Sequence, residues 1–235
     1  MSKTAAIVLA GGRGTRMKSN VPKQYMLLAG NPVLYYSLKA FEESSVDEIV
    51  LVTGEGEEEY CRTHIVEAFG ISKVTKIVKG GKERYHSVYQ GLLNLDEDTE
   101  LVLIHDGARP LITPDMIEET ITQTRLYGAC VVGVPTKDTV KLIGEDGFVE
   151  TTPDRSRVWI VQTPQSFYYK LIRTAYDKLF ETPVQGITDD AMVLERMGDH
   201  PIRMVEGSYM NIKITTPEDI QAAEGFLEHE KELQK

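Results

Sequence analysis

Three glycines and several cations crowd together near the start of the chain, in the run Leu9, Ala10, Gly11, Gly12, Arg13, Gly14, Thr15, Arg16, Met17. Glycine lets the backbone approach a ligand closely and turn successive amide groups toward phosphate oxygens. Lys18 and Lys23 follow at once, so the chemistry on offer is the binding of a small polyanion. A tight turn would account for two isolated glycines; three glycines among arginines and lysines favour phosphate. No Gly-Lys-Ser/Thr triplet closes the loop, as a Walker A site requires. Met17 stands where a dinucleotide fingerprint needs glycine, and the first carboxylate is Glu42. A dehydrogenase loop, which places an acidic residue roughly 20 positions on to hold the ribose, is thereby disfavoured.

Two further constellations sit where strands should end. His105, Asp106, Gly107, Ala108, Arg109 and Pro110 close an apolar run, and ligands bind at the carboxyl edge of strands in open α/β sheets. Asp106 is therefore placed to meet magnesium, a hard cation that takes one or two carboxylates and fills its shell with phosphate oxygens and water. Capping of the following turn is the plain alternative for this aspartate. Arg109 is expected to be tied to backbone carbonyls, and His105 to be packed. Gly80, Gly81, Lys82, Glu83, Arg84, Tyr85, His86, Ser87 and Val88 open a second helix with spare amide donors.

Charge agrees with a small anionic ligand. The net charge is −10, yet Lys3, Arg13, Arg16, Lys18, Lys23 and Lys39 precede the first acidic residue. A positive loop on an acidic body repels nucleic acid and anionic membrane while attracting a compact anion. Cys61 and Cys130 have no CxxC or Cys/His spacing, so reduced thiols are expected rather than zinc. The apolar run 5–10 is too short for a spanning helix or signal core, and the expected location is the cytoplasm.

The elements that must position these residues alternate. Val-, Ile- and Leu-rich runs at 4–10, 48–53, 74–78, 101–105 and 129–134 predict buried strands. Amphipathic stretches at 33–43, 57–69, 82–93 and 114–127 predict helices between them. That rhythm gives one α/β domain over 1–235, a Rossmann-like, mostly parallel twisted sheet flanked by helices. After Val134 it breaks: 136–143 and 148–152 predict a hairpin around Gly144, Glu145, Asp146 and Gly147. It resumes with a strand at 158–162, helices at 168–180 and 189–197, a strand at 202–205 and a final helix from Pro217 to about Leu233.

Read together, Gly-Gly-x-Gly-x-Arg-Met with Pro22-Lys23-Gln24 resembles the signature of nucleotidyltransferases that join a nucleoside triphosphate to a phosphorylated sugar or alcohol. The resemblance narrows along the chain: Pro135 to Lys141, Asp154 to Trp159, Gln162 to Phe167, Thr188-Asp189-Asp190 and Gly207 to Thr215 occur in the order found in the methylerythritol phosphate cytidylyltransferase family. That likeness implies CTP and a polyol phosphate as substrates and magnesium as cofactor. It implies that Ala10, Gly11, Gly12 and Gly14 wrap the triphosphate, with Asp106 and Gly107 facing the nucleotide. Arg16 and Lys23 would stabilise the transition state at the α-phosphate, and Gly81, Lys82 and Ser87 would line the base pocket. Arg155 and Lys213 would hold the acceptor phosphate, with Asp106 beside them.

The same likeness implies a homodimer joined through an arm at about 135–158, from which Thr139 reaches the neighbour's site. Whether Arg155 or Arg157 faces inward is open at this level. Two departures stand out. The loop reads Leu-Ala-Gly-Gly where many members have Pro-Ala-Ala-Gly, and Met210 occupies a place where some relatives carry an acid near the metal. Ribitol 5-phosphate, as the acceptor in a related cytidylyltransferase, is the alternative within the class. A nucleotide-sensing module without transfer is the alternative outside it, disfavoured because a pure binder has no use for cations around an acceptor.

Overall fold

A computed structural model describes residues 3–12, 21–182 and 185–233. The chain runs β1 (Lys3–Ala10), β2 (Leu27–Leu28), β3 (Asn31–Pro32), α1 (Val33–Glu42), β4 (Glu48–Thr53) and α2 (Glu58–Cys61), which widens into a π turn at Arg62–Glu67. Next come β5 (Val74–Lys79), α3 (Arg84–Leu93), β6 (Thr99–Asp106), α4 (Pro114–Tyr127) and β7 (Ala129–Pro135). The ribbon β8 (Leu142–Ile143) and β9 (Val149–Thr151) precedes β10 (Trp159–Tyr168), α5 (Tyr169–Glu181), α6 (Asp190–Met197), β11 (Arg203–Glu206) and α7 (Pro217–Leu233).

Seven strands form one sheet in the order β11-β7-β10-β6-β1-β4-β5. Only β10 runs antiparallel to its neighbours, β6 and β7; the other pairs are parallel. The expected mostly parallel sheet is thus observed. Its central strands are covered on both sides, which explains why they read as unbroken apolar runs. Along β1, Ala6 and Val8 join Leu34, Leu38, Phe41 and Leu103 in one core, while Ala5 and Ile7 join Val88, Leu92, Ile104 and Tyr176 in the other. Gly91 lies inside α3, and a methyl group there would stand 2.6 Å from Ile7 Cγ2. Helix and sheet therefore approach more closely than any side chain permits.

Helix boundaries follow their caps. Thr113 accepts from the Met116 amide with Pro114 at the first helical position, and Gly128, at φ 80°, ends α4. The helix expected from Lys82 starts at Arg84, because the Glu83 amide donates to His86 Nδ1 at 3.2 Å and Glu83 becomes the cap. The stretch 136–152 forms far less strand than its pattern predicts: only two residues pair with three. Its apolar residues Leu142, Ile143, Phe148 and Val149 are 50–75% exposed, so no core among the described residues holds a longer ladder in place. Among the described residues no helix is long and apolar enough to cross a membrane.

Candidate active site

The parallel strands β1, β4, β5 and β6 present their carboxyl ends to one cleft of about 850 Å³. Ala10, Gly11, Gly12, Lys23, Gly81, Lys82, Ser87, Asp106 and Lys213 all line it. These are the residues the sequence singled out from five separate segments. Arg16 and Gly14 lie outside the described residues.

Each wall has a local cause. Lys23, in a short 3₁₀ turn after Pro22, extends its ammonium to the Ile214 carbonyl at 2.9 Å, with its Cε beside Gly12. Gln24 is buried and donates to the Ala10 carbonyl at 2.5 Å, which ties the turn to the end of β1. Tyr25 donates to Glu57 at 2.7 Å and lies 3.1 Å from Cys61 Sγ; burial, with Cys61 and Glu57 alongside, raises its pKa well above the usual phenol range. Opposite, Ser87 Oγ accepts from the Gly81 amide at 3.0 Å and so fixes the turn leading into α3.

Asp106 ends β6 and is buried. Burial by itself would raise its pKa, but Arg84, Lys213 and Arg109 outweigh that and hold the carboxyl far below the usual range. Arg84 Nε donates to Oδ1 at 3.0 Å and Lys213 Nζ to Oδ2 at 2.6 Å. The neighbouring His105 is fully buried, and burial pushes its pKa down to about 4. Thr163 Oγ1 accepts from the Asp106 amide and faces His105 Nδ1 at 3.0 Å, while His105 Nε2 faces the Arg109 carbonyl at 3.2 Å. These contacts fit a neutral ring protonated at Nε2. His105 is packed, as its sequence context implied.

Arg109 donates to the carbonyls of Asn211, at 2.7 Å, and Val161, at 3.4 Å. The Ile214 amide donates to the Ala108 carbonyl at 2.7 Å, and Ile214 is buried against Leu28, Val33 and Leu111. Strapped on both sides, the 211–214 segment has Lys213 left to project into the cleft. Met210 packs into that same apolar cluster, which accounts for the hydrophobic residue there.

Three predicted site residues are not brought to this cleft. Gly107 does not line it: its amide donates to the Leu9 carbonyl at 2.9 Å, and a methyl group there would stand 2.7 Å from Leu34 Cδ1. Its glycine serves strand packing. Thr139 and Arg155 belong to the arm, are exposed and line no part of the cleft. Arg155 Nη1 donates to the Lys137 carbonyl at 3.2 Å, so within one chain Arg155 and Lys213 do not form the expected pair. The chain leaves the sheet after Pro135 and rejoins it at Trp159, which carries the intervening residues away from the strand ends.

Arg84 and Asp190 were missed in the sequence. Arg84 reaches Asp106 with Nε and both oxygens of Asp190 with its two terminal nitrogens, at 3.0 and 2.9 Å. Asp190 is fully buried and also accepts from Tyr176 at 2.6 Å. A smaller cavity of about 240 Å³ adjoins the cleft; Arg84, Asp106 and Lys213 line both. Among the described residues no cluster of three or more His, Cys, Asp or Glu could hold a metal by itself. Asp106, at the junction of the two cavities, suits magnesium, which draws most of its ligands from phosphate and water.

Comparison with known proteins identifies the family. Residues 4–229 match the family described as IspD, 2-C-methyl-D-erythritol 4-phosphate cytidylyltransferase. The chain is 52% identical to the 2-C-methyl-D-erythritol 4-phosphate cytidylyltransferase of Lachnoclostridium phytofermentans, covering 98% of this chain and 99% of that one. It is 51% identical to that of Caldanaerobacter subterraneus subsp. tengcongensis, over 95% and 98%. The crystal structure of 4-diphosphocytidyl-2C-methyl-D-erythritol synthase from Anaerococcus prevotii superposes with a TM-score of 0.87 at 35% identity, covering 97% of this chain and 96% of that one. The chain belongs to the 2-C-methyl-D-erythritol 4-phosphate cytidylyltransferase family.

Proposed function

We propose that this chain transfers a cytidylyl group from CTP to 2-C-methyl-D-erythritol 4-phosphate in isoprenoid precursor biosynthesis, as a magnesium-dependent, cytoplasmic homodimer. The observation that carries the reading is the convergence of Lys23, Lys213 and Asp106 with the Gly11-Gly12 and Gly80-Gly81 turns on one cleft, in a chain of this family.

An acceptor phosphate oxygen bonds to the α-phosphorus of CTP, the bond from that phosphorus to the bridging oxygen breaks, and pyrophosphate leaves. The acceptor oxygen is already ionised, so no general base and no covalent enzyme intermediate are required. Two anions must instead be held together, and fixed cations and amides supply that. Lys23 faces the α-phosphate, a role the loop motif also gives to Arg16, and the Gly11 and Gly12 backbone lies against the triphosphate. Gly81, Lys82 and Ser87 receive the cytosine. Lys213 turns from Asp106 to the acceptor phosphate, which enters from the smaller cavity. Asp106 would hold magnesium, which would offset triphosphate charge.

The arm supports the dimer. Its exposed Leu142, Ile143, Phe148 and Val149 make an apolar ribbon of the kind a second copy covers. In that assembly Thr139 and Arg155 complete the partner's acceptor site.

Pyrophosphate release tests the reading, with CTP, UTP and ATP each crossed against methylerythritol 4-phosphate and ribitol 5-phosphate, with and without magnesium. Release is expected for CTP with methylerythritol 4-phosphate in the presence of magnesium. Preference for ribitol 5-phosphate would replace the acceptor. CTP binding without release on either polyol would point to a sensing module.

A further inference from the structure

We infer that Arg84 and Asp190 act as a pair of positioning residues for Asp106, fixing one carboxylate oxygen rigidly so that only the other exchanges between Lys213 and incoming ligands. The inference rests on the proposed reading in which Asp106 meets the metal-bound triphosphate.

Both cavities meet at Asp106, and its two oxygens are held in different ways. Oδ2 meets the end of a single flexible lysine. Oδ1 meets Arg84, each of whose three nitrogens donates to a carboxylate: Nε to Asp106, Nη1 and Nη2 to Asp190. A guanidinium so engaged holds direction as well as charge. With all three nitrogens on protein carboxylates, Arg84 acts through Asp106 rather than as a phosphate ligand.

Asp190 gives that fork a rigid base. Gln165, 1% exposed, accepts from the Asp190 amide at 3.0 Å and the Ala191 amide at 2.8 Å, and donates to Asp189 Oδ2 at 3.0 Å. Asp189 Oδ1 in turn accepts from the Met192 amide at 2.9 Å, which starts α6. Tyr176 closes the far side of Asp190. β10, α5 and α6 thus brace one oxygen of Asp106 through a single arginine. Misplacement of a reacting group by about 1 Å costs roughly 10²-fold in rate, which is the scale of what such bracing protects.

The experiment uses the full-length chain with Arg84→Lys, Arg84→Ala and Asp190→Asn, and three readouts. Manganese binding to the enzyme with CTP is followed by electron paramagnetic resonance, kcat and KM for CTP by pyrophosphate release, and folding by thermal melting. Manganese affinity is expected to fall at least fivefold and kcat at least tenfold in all three, with KM for CTP within threefold of the parent. Lysine should rescue no better than alanine, since an ammonium cannot span both carboxylates.

Arg84→Lys within twofold of the parent on both readouts would overturn the pairing, because charge alone would then suffice. A folded Asp190→Asn with parental manganese affinity and kcat would do the same, as would a parent that binds no manganese with CTP. Should Asp190→Asn fail to fold, the comparison of Arg84→Lys with Arg84→Ala decides. A parent that binds manganese and CTP but releases no pyrophosphate would remove the proposed function, and the manganese readout alone would then judge the pair.

Discussion

Lys213 Nζ lies 2.6 Å from Asp106 Oδ2, across 107 residues of sequence, at the boundary between the two cavities. The same ammonium that balances a buried carboxylate also lines the smaller cavity, the proposed entry of the acceptor phosphate. Replacing it with methionine keeps its length and removes its charge. Lys213→Met is expected to lower kcat/KM for the acceptor by about 10² to 10³. CTP affinity, measured by calorimetry, should stay within threefold.

Lys23 faces the glycine turn, and its hydrogen bond to Ile214 is partly buried. Lys23→Ala should cost turnover about 10²-fold or more with little change in the melting temperature. Arg16→Ala, on the strength of the loop motif, should do likewise. Turnover within tenfold of the parent in both variants would discard the transition-state role.

Stability should depend on pH through His105. Its folded pKa is depressed from 6.5 to about 4, so below pH 6.5 the unfolded chain binds a proton that the folded chain refuses. The contribution is fully present above that pH and is lost progressively down to about 4. Urea unfolding should show stability falling by about 2 kcal/mol from this group between pH 7 and pH 5. His105→Gln should flatten that slope.

Gly91→Ala tests how closely α3 approaches the sheet. Alanine in a helix interior normally gains up to about 1 kcal/mol over glycine. Here the added methyl would stand 2.6 Å from Ile7 Cγ2 and 3.0 Å from its Cδ1, and Ile7 is fully buried. The sign should reverse, to a loss of about 1–3 kcal/mol in denaturant titration.

The arm carries the dimer prediction. Ile143→Asp with Phe148→Asp should yield a folded monomer by light scattering, with parental CTP binding and lost turnover, because Thr139 and Arg155 would no longer reach a neighbouring cleft. A variant that stays dimeric and active would exclude the arm as the interface.

Much of the site was legible because its parts are local. A strand followed by Gly11-Gly12 and then lysine, or a strand closed by Asp106, carries its meaning within a dozen residues. Arg84 and Asp190 were not legible as a pair, although both stand in segments the sequence marks, because nothing in Gly80–Val88 or Thr188–Asp190 says which arginine meets which aspartate 106 residues away. The packing of Gly107 was not legible either. A glycine at a ligand edge and a glycine under a leucine look alike until Leu34 is seen above it.

The arm shows the limit of pattern reading from another side. Alternation over 136–152 correctly predicted departure from the main sheet but overstated the ladder, since a strand needs a surface to lie on and the described residues provide none there.

Sequence alone determined the alternation of buried strands and amphipathic helices, and hence the sheet, the edge at which ligands gather, and the family. Those features follow from hydrophobic period and backbone freedom, which act between near neighbours. Tertiary structure decided which charges meet, where β10 reverses between β6 and β7, and which oxygen of Asp106 meets Arg84 and which meets Lys213. Such choices depend on distances between segments far apart in the chain, and only packing sets those distances.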